Sequence, residues 1–433
     1  MIKLIFTQIW NRRQNNSWII IELVLVFCLI WYMTDYFFVL TYNYSIPNYR
    51  NIDHTFLINI GEYQSDNPEF NENEKEPEAR EANFMRVLQI IRNFPGVENL
   101  SFSANNSTPE TLSYSGSSFK SPEDSTIEVM VQHYSIEIHS DYFRTFGYTT
   151  NNGKNPVSVF DFDWTQPNGV VISHSFAQEL FPKEKNVFGK TFGKGDNPFK
   201  VIGIVDDIKR FDHERPYHTM YKMFTPNWEN FDLRSATIAI RSNAALSDGI
   251  FRENLEKELR SKLHIGNFYF TNITPFNVIS SQAKISMGLV NEIQIRIYLM
   301  LFFLGNILLC VIGTFWYRVS VRKDEIGLRK AMGASGISIR NNLLIEGLCL
   351  LTIAAPIAMI ISFQFVHADL VHTLKGSAPG VVNTVYLPDH TILRFLITNA
   401  ITWIIMAAVV IAAVWLPARK AAAMEAAEAL HYE

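Results

Sequence analysis

Only a handful of stretches in this 433-residue chain set reactive residue types at a spacing that chemistry could use. GKTFGKG, residues 189–195, carries the Gly-Lys-Thr of a phosphate loop. Such a loop also needs a glycine five residues ahead of the Gly-Lys pair, and Glu184 stands there. The stretch therefore reads as a hairpin turn. Two histidine pairs, His213 with His218 and His367 with His372, are spaced by five. Zinc held from one helix face needs i and i+4, and neither pair has cysteine partners. Both pairs read as solvated loop residues. Asp206 and Asp207 follow a strand-like run with no visible partner and read as a turn. With no HExxH and no nucleophile elbow, no residue is a candidate for catalysis, for a cofactor or for a metal.

Glu22 and Glu346 stand apart, because each lies in an apolar run. A carboxylate inside a membrane span is expensive and often marks function. Both sit within about a turn of one end of their runs, where the head group reaches the interface. A structural role, orienting the adjoining charged loop, is preferred to an ion path. That loop contains RKDEIGLRKAMGAS, Arg322 to Ser335, a compact charged stretch between two long apolar segments.

The elements that must position these residues follow from composition and hydropathy. Hydrophobic residues make up 48% of the chain and mean hydropathy is +0.04, which fits a few spanning helices joined to a large soluble part. Net charge is −4, so no basic excess points to nucleic acid. Cys28, Cys310 and Cys349 all lie in apolar runs and read as small packing residues. Four runs reach the roughly 20 apolar residues a bilayer requires: 18–39, 297–317, 343–365 and 395–416. The first is too long for a cleaved leader and has no small-x-small site after it. Lys3, Arg12 and Arg13 precede it. Arg318, Arg322, Lys323, Arg329, Lys330 and Arg340 lie between the second and third, and Arg419 and Lys420 follow the fourth. The loop between the third and fourth has only Lys375 and Arg394. Both termini and the 318–342 loop are therefore expected on the cytoplasmic side.

The long segment between the first two spans then lies outside. HTFLINI (54–60) reads as a strand, and an acidic patch runs into a helix carrying Phe84, Leu88 and Ile91 at i, i+4 and i+7. Pro95-Gly96 ends that helix, and VENLSFS reads as a second strand. The pattern repeats: ATIAIR (236–241), a helix faced by Phe251, Leu255, Leu259 and Leu263, then NFYFTNI. Two such units suggest a ferredoxin-like layer. Between them IEVMVQHYSIEI, GVVIS and FKVIGIVDDI read as strands of a β-rich insertion, with HSFAQELF (174–181) as its short helix.

In the charged stretch, Asp324 and Glu325 suit a helix N-terminus. Glu325 and Arg329 are spaced i, i+4 with the acid first. Gly333 can end the helix in the left-handed conformation, and Ser335 can cap the next one. A helix of about two turns results, expected to present Ile326, Leu328 and Met332 as apolar knobs beside a basic rim. An ordinary positive-inside loop explains the arginines and lysines but not the knobs, which suggest docking to another protein.

RKDEIGLRKAMGAS, with the downstream LLIEG, resembles the permease signature of the MacB/FtsX family of ABC transporters. The tail LPARKAAAMEAAEALHYE is similar to that family's C-terminal signature. FPGVENLSF, SDYFRTFGY, NGVVISHSFAQELFPKEKNVFGKTF and FKVIGIVDDI resemble its periplasmic core domain. The resemblance implies an α-helical membrane protein with four transmembrane helices and a large α+β periplasmic domain, a ferredoxin-like subdomain with an inserted β-rich one, in the bacterial inner membrane. The expected layout is a cytoplasmic segment 1–17, spans 18–39, 297–317, 343–365 and 395–416, and a periplasmic core 40–296. Within the core, 50–124 and 230–285 are ferredoxin-like and 125–229 is the insertion. The 318–342 loop is cytoplasmic, 366–394 periplasmic and 417–433 a cytoplasmic tail. The resemblance further implies a coupling helix that docks an ABC ATPase, formed by Arg322, Lys323, Glu325, Ile326, Gly327, Leu328, Arg329, Lys330, Met332 and Gly333. Such a permease is no enzyme itself: ATP-Mg binds the ATPase, which drives the outer domain through the spans, a mode called mechanotransmission.

Only about 17 residues precede the first span, so the ATPase is expected as a separate chain. Further partners implied are a second permease protomer, identical or not, membrane lipid, and a periplasmic adaptor with an outer-membrane channel. Ala426 stands where the family has proline and His431 where it has arginine, and the first span lacks the family's glycines. Export of peptides, drugs or lipoproteins is the expected function. The alternative is an FtsX-like regulator that switches a periplasmic partner such as a cell-wall hydrolase. A membrane sensor without an ATPase is disfavoured by the coupling motif.

Overall fold

The computed structural model describes residues 13–104, 107–110, 115–368 and 386–424. Lys3, Arg12, His372, Lys375, Ala426 and His431 lie outside the described residues. The chain divides into two units, one built from Met1–Tyr42, Val290–Leu374 and Val385–Glu433, the other chiefly from Asn43–Leu289.

The first unit contains four long helices: α1 (Arg13–Ser45), α7 (Leu289–Val321), α9 (Gly336–His367) and α10 (Thr391–Ala423). Each is long and apolar enough to cross a membrane. All four run past the apolar stretches read from the sequence, because helix propensity continues after hydrophobicity ends. Phe27, Ile30, Leu350, Ala354, Ala358, Met406, Val410 and Val414 share one core. Gly347 lets α9 and α10 approach: a Cβ there would meet Val410 and Val414 at 3.1 Å. Several polar groups inside the unit are matched across helices. Arg394, which the charge count treats as a loop residue, lies within α10, and its guanidinium is paired with Asp35 of α1, Nε to Oδ1 at 2.8 Å. Trp31 Nε1 donates to Thr398 Oγ1 at 3.0 Å. The Cys310 thiol donates to the Glu22 carboxylate. A short helix, α8 (Lys323–Ala331), joins α7 to α9.

In the second unit, β1 (Thr55–Glu62), α2 (Pro77–Arg92) and β2 (Val97–Ala104) form one β-α-β run. β13 (Ala236–Ser242), α5 (Asp248–Lys262) and β15 (Phe268–Pro275) form the other. Their strands lie in the order β15-β1-β13-β2, every neighbour antiparallel, which is the ferredoxin-like arrangement. Phe84, Leu88 and Ile91 of α2 and Phe251, Leu255 and Leu259 of α5 pack on Phe56, Ile58, Phe102 and Ile240 of the sheet. The edge strand β14 (His264–Ile265) adds to β15, and α6 (Phe276–Ser286) follows.

The inserted part contains β3 (Ser115–Lys120), β4 (Glu128–Ile136), β7 (Gly169–Ser173), β8 (Thr191–Phe192), β9 (Phe199–Val205) and β12 (Thr219–Met223). Short pieces complete it: α3 (Tyr142–Thr145), β5 (Thr149–Thr150), β6 (Asn155–Pro156), α4 (His174–Leu180), β10 (Ile208–Lys209) and β11 (Pro216–Tyr217). Its strands extend the first sheet in the order β2-β4-β12-β7-β9-β8, so one sheet runs through both parts. The joint is narrow: among the described residues only Ser103↔Ile136 and Ala104↔Ser135 pair between β2 and β4. β3 pairs with β4, so residues 115–124 belong with the insertion and not with the ferredoxin-like part where the sequence reading puts them. The insertion leaves after Ala104 and returns at Ala236, which face each other in register. GKTFGKG forms the β8–β9 hairpin, with Gly193 and Gly195 at positive φ.

The loop 206–218 corrects the sequence reading. His213 and His218, expected to be solvated, are 5% and 1% exposed. Asp206, read as a bare turn residue, accepts from Thr149 Oγ1 and from the backbone N–H groups of Asn152 and Gly153. The loop is buried because its charges are matched: Arg50 reaches Glu110 and the carbonyls of Lys209 and Arg210, Arg210 binds Glu214 with two nitrogens, and Lys209 Nζ donates to the carbonyls of Asn43 and Asp212. Burial pushes the Lys209 ammonium down to about 8 and the His213 imidazole down to about 4.

Candidate functional site

The charged stretch forms a rigid corner at one end of the helical unit. α8 begins directly after α7, with Asp324 and Glu325 in its first turn and Arg329 and Lys330 in its last. Glu325 and Arg329 pair at 2.6 Å across one turn. The end of α8 is a two-bond C-cap: Gly333 N–H donates to Lys330 O at 2.9 Å and Ala334 N–H to Arg329 O at 3.0 Å. Gly333 has φ +94, so a side chain there would be strained although space is open. Ser335 then caps α9 by accepting from Ser338 N–H.

Three contacts fix α8 to its neighbours. Ile326 and Gly327 are buried, and Ile326 joins the core of the helical unit. Glu346 of α9 receives Arg318 Nη1 at 2.8 Å and Arg322 Nη1 at 3.0 Å, all three side chains largely covered. Lys330 Nζ donates to the carbonyls of Ala422 and Met424 at the end of α10, groups that a helix C-terminus leaves without partners. The same end is tightly packed: a Cβ on Gly336 would meet Ala422 O at 2.8 Å. Arg340 lies over Trp415 and Lys420 over Trp316, at 4.8 and 4.4 Å from the ring centres.

The structure therefore sorts the ten residues of the expected docking element. Leu328 and Met332 are 54% and 72% exposed and, four residues apart, share the face opposite Ile326. Ile326, expected as a third exposed knob, is 6% exposed and points inward. Arg322 and Lys330 are engaged with Glu346 and the α10 carbonyls, so the charged rim beside the knobs is Lys323 with the Glu325–Arg329 pair. Arg318, counted above among the cations of the 318–342 loop, is a partner of Glu346. Glu22 is placed elsewhere in the unit, against Cys310.

One constellation that the sequence reading missed has the atoms of a nucleophile site. Ser175 Oγ lies 2.9 Å from His218 Nδ1 and 2.6 Å from Asp207 Oδ1, and His218 Nε2 lies 3.2 Å from Glu179 Oε2. Ser175 and His218 are both buried, and the serine hydroxyl and backbone N–H both donate to Asp207. With its proton held by a carboxylate and no solvent face, the serine ties α4 to the loop after β9. Among the described residues, no cluster of three or more His, Cys, Asp or Glu is arranged to hold a metal.

A four-helix membrane unit with a charged corner helix, joined to a ferredoxin-like domain carrying a β-rich insertion, defines a membrane permease. The sequence matches the MacB-like periplasmic core domain over residues 39–262 and the FtsX-like permease C-terminal domain over 297–426, and the chain belongs to that family. It is an inner-membrane protein with a periplasmic domain. The macrolide export ATP-binding/permease protein MacB of Shigella sonnei and that of Escherichia coli K12 are each 24% identical to it over 311 residues. Each match covers 68% of this chain and 43% of the relative, so the chain spans less than half the length of the curated relatives it matches. The periplasmic region of MacB from Actinobacillus actinomycetemcomitans aligns with 54% of this chain and 94% of its own, at 15% identity and a TM-score of 0.31.

Proposed function

We propose that the chain is the membrane-spanning permease of an ATP-driven machine and that α8 is the surface on which an ATPase docks. The observation that carries this is the two-sided build of α8. One face is locked to the unit by Ile326, by the Glu346 pairs and by Lys330, and the other offers Leu328 and Met332 beside Lys323 and Arg329. A rigid helix with apolar anchors and a charged rim suits insertion into a groove, the anchors supplying affinity and the rim the encounter rate. ATP-Mg then binds in the ATPase, outside these 433 residues, and this chain hydrolyses none itself. Closure of the ATPases pushes α8, and the spans carry that motion to the periplasmic domain. The lysine and arginine bias around the spans supports cytoplasmic termini and a cytoplasmic α8.

A second protomer packs through the membrane against exposed small residues such as Gly305, Ala408 and Ala412. The relatives' names speak of macrolide export. Export of drugs, peptides or lipoproteins, with a periplasmic adaptor and an outer-membrane channel, is the role proposed for this chain. The large two-part outer domain favours it over an FtsX-like regulator of a cell-wall hydrolase. A photoreactive amino acid at position 328, activated in native membranes, tests the docking. Cross-linked peptides should come from a protein with a phosphate-loop motif. Cross-links to lipid alone would overturn the assignment.

A further inference from the structure

The ferredoxin-like part carries a cleft of about 800 Å³ that no step of the proposed coupling uses. That volume is within the range of ligand sites. Its walls are the end of β1 with the loop after it, the start of α2, and the segment 228–234. Arg80 holds these walls together. Its guanidinium binds Glu62 through two nitrogens, at 2.6 and 2.7 Å, and donates to the carbonyls of Trp228 and Phe231, both at 2.7 Å. The cleft is thus rigid before anything enters it.

Inside, Tyr63 and Tyr269 are stacked with centroids 4.5 Å apart. Tyr269 lies over Gly61 so closely that a Cβ there would fall 2.2 Å from its ring, and glycine is what lets the platform form. The wall also holds Trp228 Nε1, a buried donor with no acceptor among the described residues. Glu229 lines the cleft, exposed, and no cation pairs with it among the described residues. Around the mouth acids outnumber bases: residues 62–81 contain eight carboxylates and two cations, of which Arg80 is committed to Glu62 and Lys75 lies beside Glu72, and the lining cation Arg234 is paired with Asp232. Aromatic faces attract cations, and carboxylates around a concave wall concentrate them.

We propose that this cleft binds an extended basic peptide segment of a partner protein, with a Lys or Arg side chain over the tyrosine platform and Glu229 beside it. The occupant is recognised by charge and by aromatic contact together, which neither a neutral nor an acidic segment satisfies. The site is independent of ATPase docking and can be tested without nucleotide.

The full chain in phosphatidylcholine nanodiscs is titrated with a dye-labelled Lys-Trp-Lys-Phe-Lys amide, with empty nanodiscs subtracted because basic peptides also bind lipid. The same peptide with Gln or Glu in place of Lys provides the charge series. The Lys peptide is expected to bind at least tenfold tighter than the Glu peptide, with affinity falling as salt rises. Tyr63→Ala and Glu229→Gln are each expected to weaken it about fivefold or more. Glu184→Gln, beside a different cleft of the outer domain, should leave it unchanged. Glu229 is exposed, so its variant tests the idea even if Tyr63→Ala disturbs the fold. Equal affinity for the three peptides, no binding at all, or equal loss from Glu184→Gln would each overturn the proposal and leave the ATPase-docking reading untouched.

Discussion

Replacing Leu328 by aspartate puts the docking role of α8 to its sharpest test. The side chain is 54% exposed, so about half of its burial is left for a partner to complete. Full burial of a leucine is worth about 1.5–3 kcal/mol, which leaves roughly 1 kcal/mol for the groove. Aspartate forfeits that and adds an unpaired carboxylate in an apolar site, where hot-spot losses start at about 2 kcal/mol. The expected total of about 2–4 kcal/mol corresponds to roughly thirtyfold to a thousandfold in Kd. Leu328→Ala, lacking the charge, should lose only about fivefold. Ile250→Asp, on an exposed site of α5, controls for a new surface acid. Ile326→Asp is no use as a probe, because that side chain is in the core. The assay is equilibrium binding of the ATPase captured at position 328 to nanodisc-embedded variants, with insertion and melting temperature measured in parallel. If Leu328→Asp is inserted, stable and binds as the parent does, α8 is no docking surface.

Four further outcomes are expected. Glu346→Gln leaves Arg318 and Arg322 covered without their carboxylate, a loss of about 3 kcal/mol that should appear as a lower melting temperature and as trypsin cleavage near Arg322. Asp35→Arg should impair insertion or stability, and the double exchange with Arg394→Asp should recover much of it; no recovery would mean the pair is not the relevant contact. Because His213 is held near 4 when folded and titrates near 6.5 when unfolded, the unfolded chain takes up the proton first as pH falls. The outer domain should therefore lose stability between about pH 6.5 and 4, and His213→Leu should flatten that slope in melts across the range. Single cysteines at Ala408 should cross-link between protomers in membranes if α10 lies at the dimer interface.

What was legible in the sequence was whatever repeats along one element. The α2 residues Phe84, Leu88 and Ile91 and the α5 residues Phe251, Leu255 and Leu259 line buried faces, because a 3.6-residue period is a local property. Four spans, two β-α-β runs, Gly333 at the turn and Ser335 at the cap were likewise readable. The facing of α8 was misread although the information was there: Ile326 and Leu328 are two residues apart, about 200° around a helix, and cannot share a face. The polar pairings were not legible. Asp35 and Arg394 are separated by 359 residues, and only tertiary packing brings them together. One signal existed, since the two are charges of opposite sign in or beside an apolar run. The burial of His213 and His218 had no such signal, because a loop dense in charge looks solvated unless its partners, Arg50 and Glu110 among them, are known. The Ser-rich β3 was missed for want of β-branched residues to mark it.

The register partners Ala104 and Ala236 define where the inserted domain can be detached. The insertion departs and returns at two residues that already face each other across an antiparallel pair, the geometry a tight hairpin closes. A short Asn-Gly-type loop in its place would complete the ferredoxin-like sheet, leaving β2 as its edge. Exchange or loss of the whole head, during divergence or by design, therefore needs no rearrangement of the strands beneath it. What the insertion carries can change freely while the ferredoxin-like sheet it leaves and rejoins stays constant.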